Sequence, residues 1–344
     1  MLAGVKERKG LIFAVKFTQT DFWRYNDFNP SIGRGGVDQI IEFQAAREYE
    51  GKGAFPDYVG EEHAAAMKRC RDLGVKGVWI WNFGGRWGGP KLQSDRWVRL
   101  NIFATAKLTE NPGADPRKIA EEWAAREFGE KAAPRVAEML MLSGDSVLGF
   151  RYIAPYSRNH QGWLPARNIM RDDIIRGETV LREEGGLQIL YEGSKYALEE
   201  ALEEKTRAAA TATRMLKLFE SVRAEIVAAR GERVFEEARN TIVYMESLAT
   251  VMSHYVRGMF LYYNSQETGD VKTSAKALAE LRAWRAEWRR CQNEIAKLPG
   301  VATVYRSMNN YGGTPNPKGA MEETCEKALS VLEAAAGNSH PAKR

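Results

Sequence analysis

Three short apolar runs, each closed by polar or glycine-rich sequence, limit what this chain can form. They are "GLIFAVKF" from Gly10, "VDQIIEFQ" from Val37 and "VKGVWIWNF" from Val75. Each is too short for a stable helix and is rich in β-branched or aromatic residues, so each reads as a strand. Between the second and third lies "EEHAAAMKRCRDLG", where Ala64, Ala65, Met67, Cys70 and Leu73 recur at helical spacing and Gly74 ends the run. The order strand, loop, strand, helix, strand implies a parallel sheet with a right-handed crossover.

From Ser94 onward almost every signal is helical. "SDRWVRLNIFATAKLTENPG" reads as an amphipathic helix closed by Asn-Pro-Gly. "DPRKIAEEWAAREFG" carries Asp115 as N-cap, Pro116 at the first helical position and Gly129 as its stop. Residues 145–167 read as the least regular part of the chain. Long helical stretches are expected over roughly Leu187–Arg230, Arg233–Ser265 and Thr273–Leu298, with a last one from about Lys318 to Ala336. Their apolar positions drift, which favours a packed helical domain over a coiled coil.

Composition narrows the function classes. The 344 residues carry 50 basic and 45 acidic side chains, a formal charge of +5, spread along the whole length. No dense basic stripe stands apart from acidic neighbours, so no nucleic-acid partner is expected. The three cysteines, Cys70, Cys291 and Cys325, form no CxxC pair and lie far from His63, His160, His254 and His340. That spacing argues against a zinc site and for a reducing compartment. "MLAGVKERKG" lacks the apolar core of a signal peptide, and no long apolar stretch is present. A cytoplasmic protein without membrane contact is therefore expected. "GRGG" and "FGGRWGG" lack the spacing of a nucleotide motif, so no metal or organic cofactor is expected either.

α/β enzymes keep their active sites at the carboxyl ends of parallel strands. Lys16 ends the first run, with Asp21 just beyond. Glu42 and Gln44 lie on the second, followed by Arg47, Glu48 and Tyr49. Trp79 and Trp81 lie on the third, with Asn82, Arg86 and Trp87 in the loop "NFGGRWGG". A carboxylate inside "IIEF", as Glu42 is, costs several kcal/mol if buried without a partner. Glu42 thus calls for either a catalytic task or an ion pair. Asp21, on residue type alone, reads as a turn or helix cap.

Together these residues carry a resemblance. "VKFTQTDFWRYNDFNPSIG" followed by "IIEFQAAREYEG" resembles the catalytic segment of the glycoside hydrolase family 67 α-glucuronidases. The likeness continues through "WNFGGRW" and "LNIFATAKLTENPGADPRKIAEEWAAREFG", covering about Leu11 to Gly129. It implies the last three strands of a (β/α)8 TIM barrel over residues 1–130 and a mainly α-helical domain over 131–344. It further implies that Asp21 and Glu42 form the pair around the water that attacks the anomeric carbon with inversion. Which of the two is the base stays open. Lys16 would face the carboxylate of the uronic acid. Trp23, Arg47, Trp81, Asn82, Arg86 and Trp87 would line the sugar site. The expected substrate is a xylo-oligosaccharide bearing (4-O-methyl)glucuronic acid, and the helical domain implies a homodimer.

The departures from that family matter as much. Its general acid stands on an earlier barrel strand, for which this chain has no counterpart. Positioned proton transfer contributes roughly 10² to 10⁴-fold, so hydrolysis is expected only with a complementary N-terminal half. The alternative is a non-catalytic helical interaction module carrying a barrel remnant.

Overall fold

The computed structural model describes residues 9–82, 91–159, 185–303 and 320–338. The three apolar runs form strands β1 (Ile12–Lys16), β2 (Asp38–Gln44) and β3 (Gly77–Trp81) of one sheet in the order β1-β2-β3. Both pairings are parallel, and the register sets Lys16 beside Glu42 and Glu42 beside Trp79. Helix α1 (Gly60–Asp72) makes the connection from β2 to β3. The β1–β2 connection has no helix. It folds back on itself through an antiparallel bridge between Thr18 and Phe28, and the Gln39 side chain ties it down at Gly33, Ser31 and Arg34.

One face of the sheet is packed. Phe17 and Phe43 stack at 4.7 Å, and His63 of α1 meets Phe43 edge-on at 4.9 Å. His63 is fully enclosed there, and burial pushes its imidazole down to about 3. It therefore serves the core as a neutral ring bonded to Thr105 at 2.8 Å. The other face is open, with Ile12 at 55% and Trp79 at 39% exposure. Parallel sheets are ordinarily covered on both faces, and this asymmetry leaves Lys16 and Glu42 accessible.

The helices are α2 (Arg96–Glu110), α3 (Pro116–Phe128), α4 (Ala133–Arg151), α5 (Ala154–Asn159), α6 (Gly185–Glu192), α7 (Leu198–Glu220), α8 (Arg223–Arg230), α9 (Glu232–Thr268), α10 (Val271–Asn293) and α11 (Ala320–Asn338). Asp115 caps α3 through the Arg117 amide and Pro116 opens it, as the sequence pattern requires. Two expectations need correction. Of the segment read as irregular over residues 145–167, the described part is helical through Arg151 and again over Ala154–Asn159, since Val147 and Phe150 are buried in the core and override the local glycine and proline signals, while residues 160–167 lie outside the described residues. The stretch Leu187–Arg230 is not one helix. It breaks after α6 at Gly193–Ser194, passes a 3-10 turn over Lys195–Ala197, and turns again between α7 and α8.

Sheet and helices share one apolar core, which runs from Phe17 to Leu332 among the described residues. Phe128 meets Phe219 edge-on at 5.4 Å, and Phe219 stacks on Phe235 at 5.4 Å. Trp284 of α10 is wholly enclosed. Phe55, in the connection from β2 to α1, packs on Phe150 of α4 at 5.8 Å and Tyr244 of α9 at 6.4 Å, which fixes the α/β portion against the helices. Among the described residues no helix is long and apolar enough to cross a membrane.

Candidate active site

The site begins with strand register. Side chains of laterally paired residues in a parallel sheet point to the same face, so Lys16 and Glu42 emerge together near the carboxyl ends of β1 and β2. Lys16 Nζ lies 2.7 Å from Asp21 Oδ1, five residues on. Asp21 is where the chain turns after β1. Its Oδ1 also accepts the Phe22 amide at 2.9 Å, and its Oδ2 accepts the Tyr49 hydroxyl at 2.6 Å. The cap reading of Asp21 is therefore met in part by the Phe22 contact, but the lysine and tyrosine contacts exceed what a cap needs. The turn is fixed by Asn26, whose amide donates to the Asp21 carbonyl at 2.6 Å, and by Asn29, which donates to the Lys16 carbonyl at 3.0 Å.

Glu42 differs in kind. Its carboxylate has no hydrogen bond among the described residues. Burial raises its pKa, the nearby Lys16 ammonium lowers it, and the Asp21 carboxylate raises it again, with a net upward shift. The pair thus combines one carboxylate held by three donors with one free to exchange a proton.

Behind the pair lies a buried ionic cluster. Arg47 is 2% exposed with φ of 54°, and its carbonyl accepts the amides of Glu50, Gly51 and Lys52 to make a tight loop after β2. Its guanidinium lies 3.3 Å from Glu50, 3.5 Å from Asp57 and 3.8 Å from Glu62. Arg24, on the Asp21 loop, pairs with Asp57 at 3.3 Å and Glu62 at 3.2 Å. Burial raises Asp57 to about 6 despite both arginines. Burial works on Glu62 in the same direction, but Arg24 and Arg47 together outweigh it and hold Glu62 below its usual range.

Of the sequence-predicted residues, Lys16, Asp21 and Glu42 come together. Trp81 ends β3 half-buried, laterally paired with Gln44, and Asn82 follows it exposed. Arg86 and Trp87 lie outside the described residues. Two expectations are corrected. Arg47 does not reach the open face, because three carboxylates draw its guanidinium inward. Trp23 presents no free ring face: it packs edge-on against Tyr49 at 5.7 Å within a small cluster with Tyr152. Sequence reasoning had no role for Tyr49, Arg24, Asp57, Arg151 or Tyr152. Tyr49 had a signal in its position after the Glu42 strand. Tyr152 stands more than a hundred residues from its partner Glu50 and had none.

No family model matches the sequence, and no curated protein does. Among solved structures the chain is similar to a glycoside hydrolase family 138 enzyme targeting pectin rhamnogalacturonan II, with a TM-score of 0.65 at 11% identity. The match covers 95% of this chain and 52% of that one, so this chain spans about half the length of its structural neighbour. At that identity the likeness is one of fold: a small parallel sheet joined to a large helical region, as found in a glycoside hydrolase.

Proposed function

We propose that the chain carries the water-activating side of a glycoside hydrolase site acting on uronic-acid-bearing oligosaccharides, with an α-glucuronidase as the specific activity. The observation that supports this reading most directly is the meeting of Lys16, Asp21 and Glu42 on the open face at the strand ends. In an inverting hydrolysis the oxygen of a water bonds to the anomeric carbon while a carboxylate takes one of its protons. The glycosidic C–O bond breaks, and its oxygen takes a proton from an acid. Here Glu42 is the acceptor, since its carboxylate accepts no hydrogen bond among the described residues, and Asp21 supplies negative charge beside it. Lys16 is a compact point charge suited to a single carboxylate, which would belong to the uronic acid. Trp81 offers an apolar wall for sugar C–H groups.

The acid would come from further barrel strands on a complementary N-terminal half. Two features support that part of the proposal: the uncovered sheet face, and a structural neighbour about twice this chain's length. The neighbour's pectic target gives a second reading, in which the acidic sugar is a galacturonic rather than a glucuronic acid. Both readings require a sugar carboxylate.

The test is an assay of the chain with its complementary half on glucuronic-acid-branched xylo-oligosaccharides and on galacturonic-acid-bearing pectic oligosaccharides. Release of the acidic sugar, with its first-formed anomer inverted by NMR, supports the proposal. Absence of release from either class returns the chain to the alternative of a non-catalytic helical module. Lys16→Ala is expected to weaken binding of the acidic sugar about tenfold to a hundredfold, since a hydrogen bond to a charged group contributes about 1.5–3 kcal/mol. Unchanged affinity in a calorimetric titration would remove Lys16 from that role.

A further inference from the structure

The carboxyl end of α4 reaches into the site from the helical region. Its last residue, Arg151, is buried and donates twice to the Tyr49 carbonyl, from Nε at 3.1 Å and Nη2 at 2.6 Å. The next residue, Tyr152, is also wholly enclosed. Its hydroxyl donates to Glu50 at 2.5 Å and accepts the Arg24 amide at 2.9 Å. Burial and then the Glu50 carboxylate push the Tyr152 phenol well above 10, so it remains a donor at any physiological pH. Two adjacent side chains of one helix end therefore grip both loops of the candidate site, the one after β1 and the one after β2.

That helix end is itself fixed. Lys205 of α7 is fully buried, and its ammonium donates to the Gly149 carbonyl at 2.5 Å, to the Tyr152 carbonyl and to Glu204 at 2.8 Å. A lysine placed over the terminal carbonyls of a helix satisfies acceptors that would otherwise be orphaned and opposes the negative end of the helix dipole. The chain of contact runs from Lys205 to α4, from α4 through Arg151 to Tyr49, and from the Tyr49 hydroxyl to Asp21 at 2.6 Å.

We propose that Tyr49, gripped from the helical region by Arg151 and Tyr152, is a positioning residue that fixes the Asp21 carboxylate beside Glu42, making the helices an integral part of the site. The proposal rests on the reading of Asp21 and Glu42 given above, but its physical content does not need a sugar. Asp21 has its Oδ1 bound by Lys16 and Phe22 from its own loop. Among the described residues only Tyr49 reaches its second oxygen from another loop, and that bond sets the rotation of the carboxylate. Without it, Lys16 and Phe22 would hold one oxygen while the other swings.

The test uses the whole chain with its carboxyl carbons labelled. The Asp21 carboxyl resonance is identified by its loss in Asp21→Asn. In Tyr49→Phe, which removes one hydroxyl, that resonance is expected to move while the rest of the spectrum is kept. Arg151→Lys should move it in the same direction by less, because the Tyr49 carbonyl keeps one charged donor. Where Tyr49→Phe disturbs the fold, 3-fluorotyrosine labelling supplies the reciprocal reading: one fluorine resonance should move in Asp21→Asn. An Asp21 resonance unmoved in folded Tyr49→Phe, or no fluorine resonance moved by Asp21→Asn, overturns the proposal. With active enzyme, kcat of Tyr49→Phe is expected to fall about tenfold with KM within about twofold, and unchanged kcat also overturns it. Failure of the wild-type chain to release any sugar acid would instead count against the proposed activity and leave the resonance results standing.

Discussion

Glu42→Gln is expected to reduce turnover of the complemented enzyme by at least 10²–10⁴-fold, the contribution of positioned proton transfer, with its unfolding midpoint unchanged or slightly raised. The substitution keeps size and shape and removes only the ability to take a proton. Because burial and Asp21 raise the Glu42 pKa against the pull of Lys16, the acid limb of the activity profile should lie above the ordinary glutamate value of 4.5. Asp21→Asn removes a raising influence and should move the limb down, if activity remains measurable. Lys16→Met removes the lowering one and should move it up. The stability sign is consistent with this. A carboxyl raised in the folded state contributes stability below its unfolded pKa and loses it as pH rises through the folded value. Glu42→Gln escapes that loss, which is why no destabilisation is expected at neutral pH. Full activity in Glu42→Gln would end its assignment as the base.

The strands were legible because each is a short β-branched or aromatic run, and Glu42 was legible because a carboxylate in "IIEF" has no cheap place in a sheet. Lys16 beside Glu42 follows from parallel register once the strands are placed. The α3 cap was legible because Asp-Pro at a helix start acts locally. What the sequence could not show was direction. Arg47 follows the β2 strand just as a ligand-binding residue would, yet its side chain turns inward because Glu50, Asp57 and Glu62 converge there. Asp57 and Glu62 reach that point through the loop before α1 and the helix itself, which no local pattern encodes. Tyr152 and Arg151 act on residues more than a hundred positions away. The broken Leu187–Arg230 stretch was legible in principle, for Gly193–Ser194 is a turn signal inside an otherwise periodic run.

Arg47→Met is expected to cost about 3–5 kcal/mol of folding stability, the usual loss when one member of a buried ion pair is removed. The reason lies in what stays behind. Glu50 is 0% exposed and Asp57 nearly so, and with Arg47 gone Arg24 is the one arginine among the described residues left to offset them and Glu62. Burial tends to lower the Arg47 pKa, but these three carboxylates outweigh it and raise it, a measure of how strongly they hold the guanidinium. The loss should depend on pH in a defined direction. Asp57 already sits at about 6 with both arginines present, and removing one would raise it further. At pH 5 Asp57 can neutralise itself by taking a proton, whereas at pH 8 the cluster must bear an uncompensated charge. The gap between wild type and Arg47→Met in urea unfolding should therefore be wider at pH 8 than at pH 5. If Arg47 instead contacted the sugar, the variant would keep wild-type stability and lose affinity. A stable Arg47→Met with weakened binding of the acidic sugar would restore the role that its sequence position suggests.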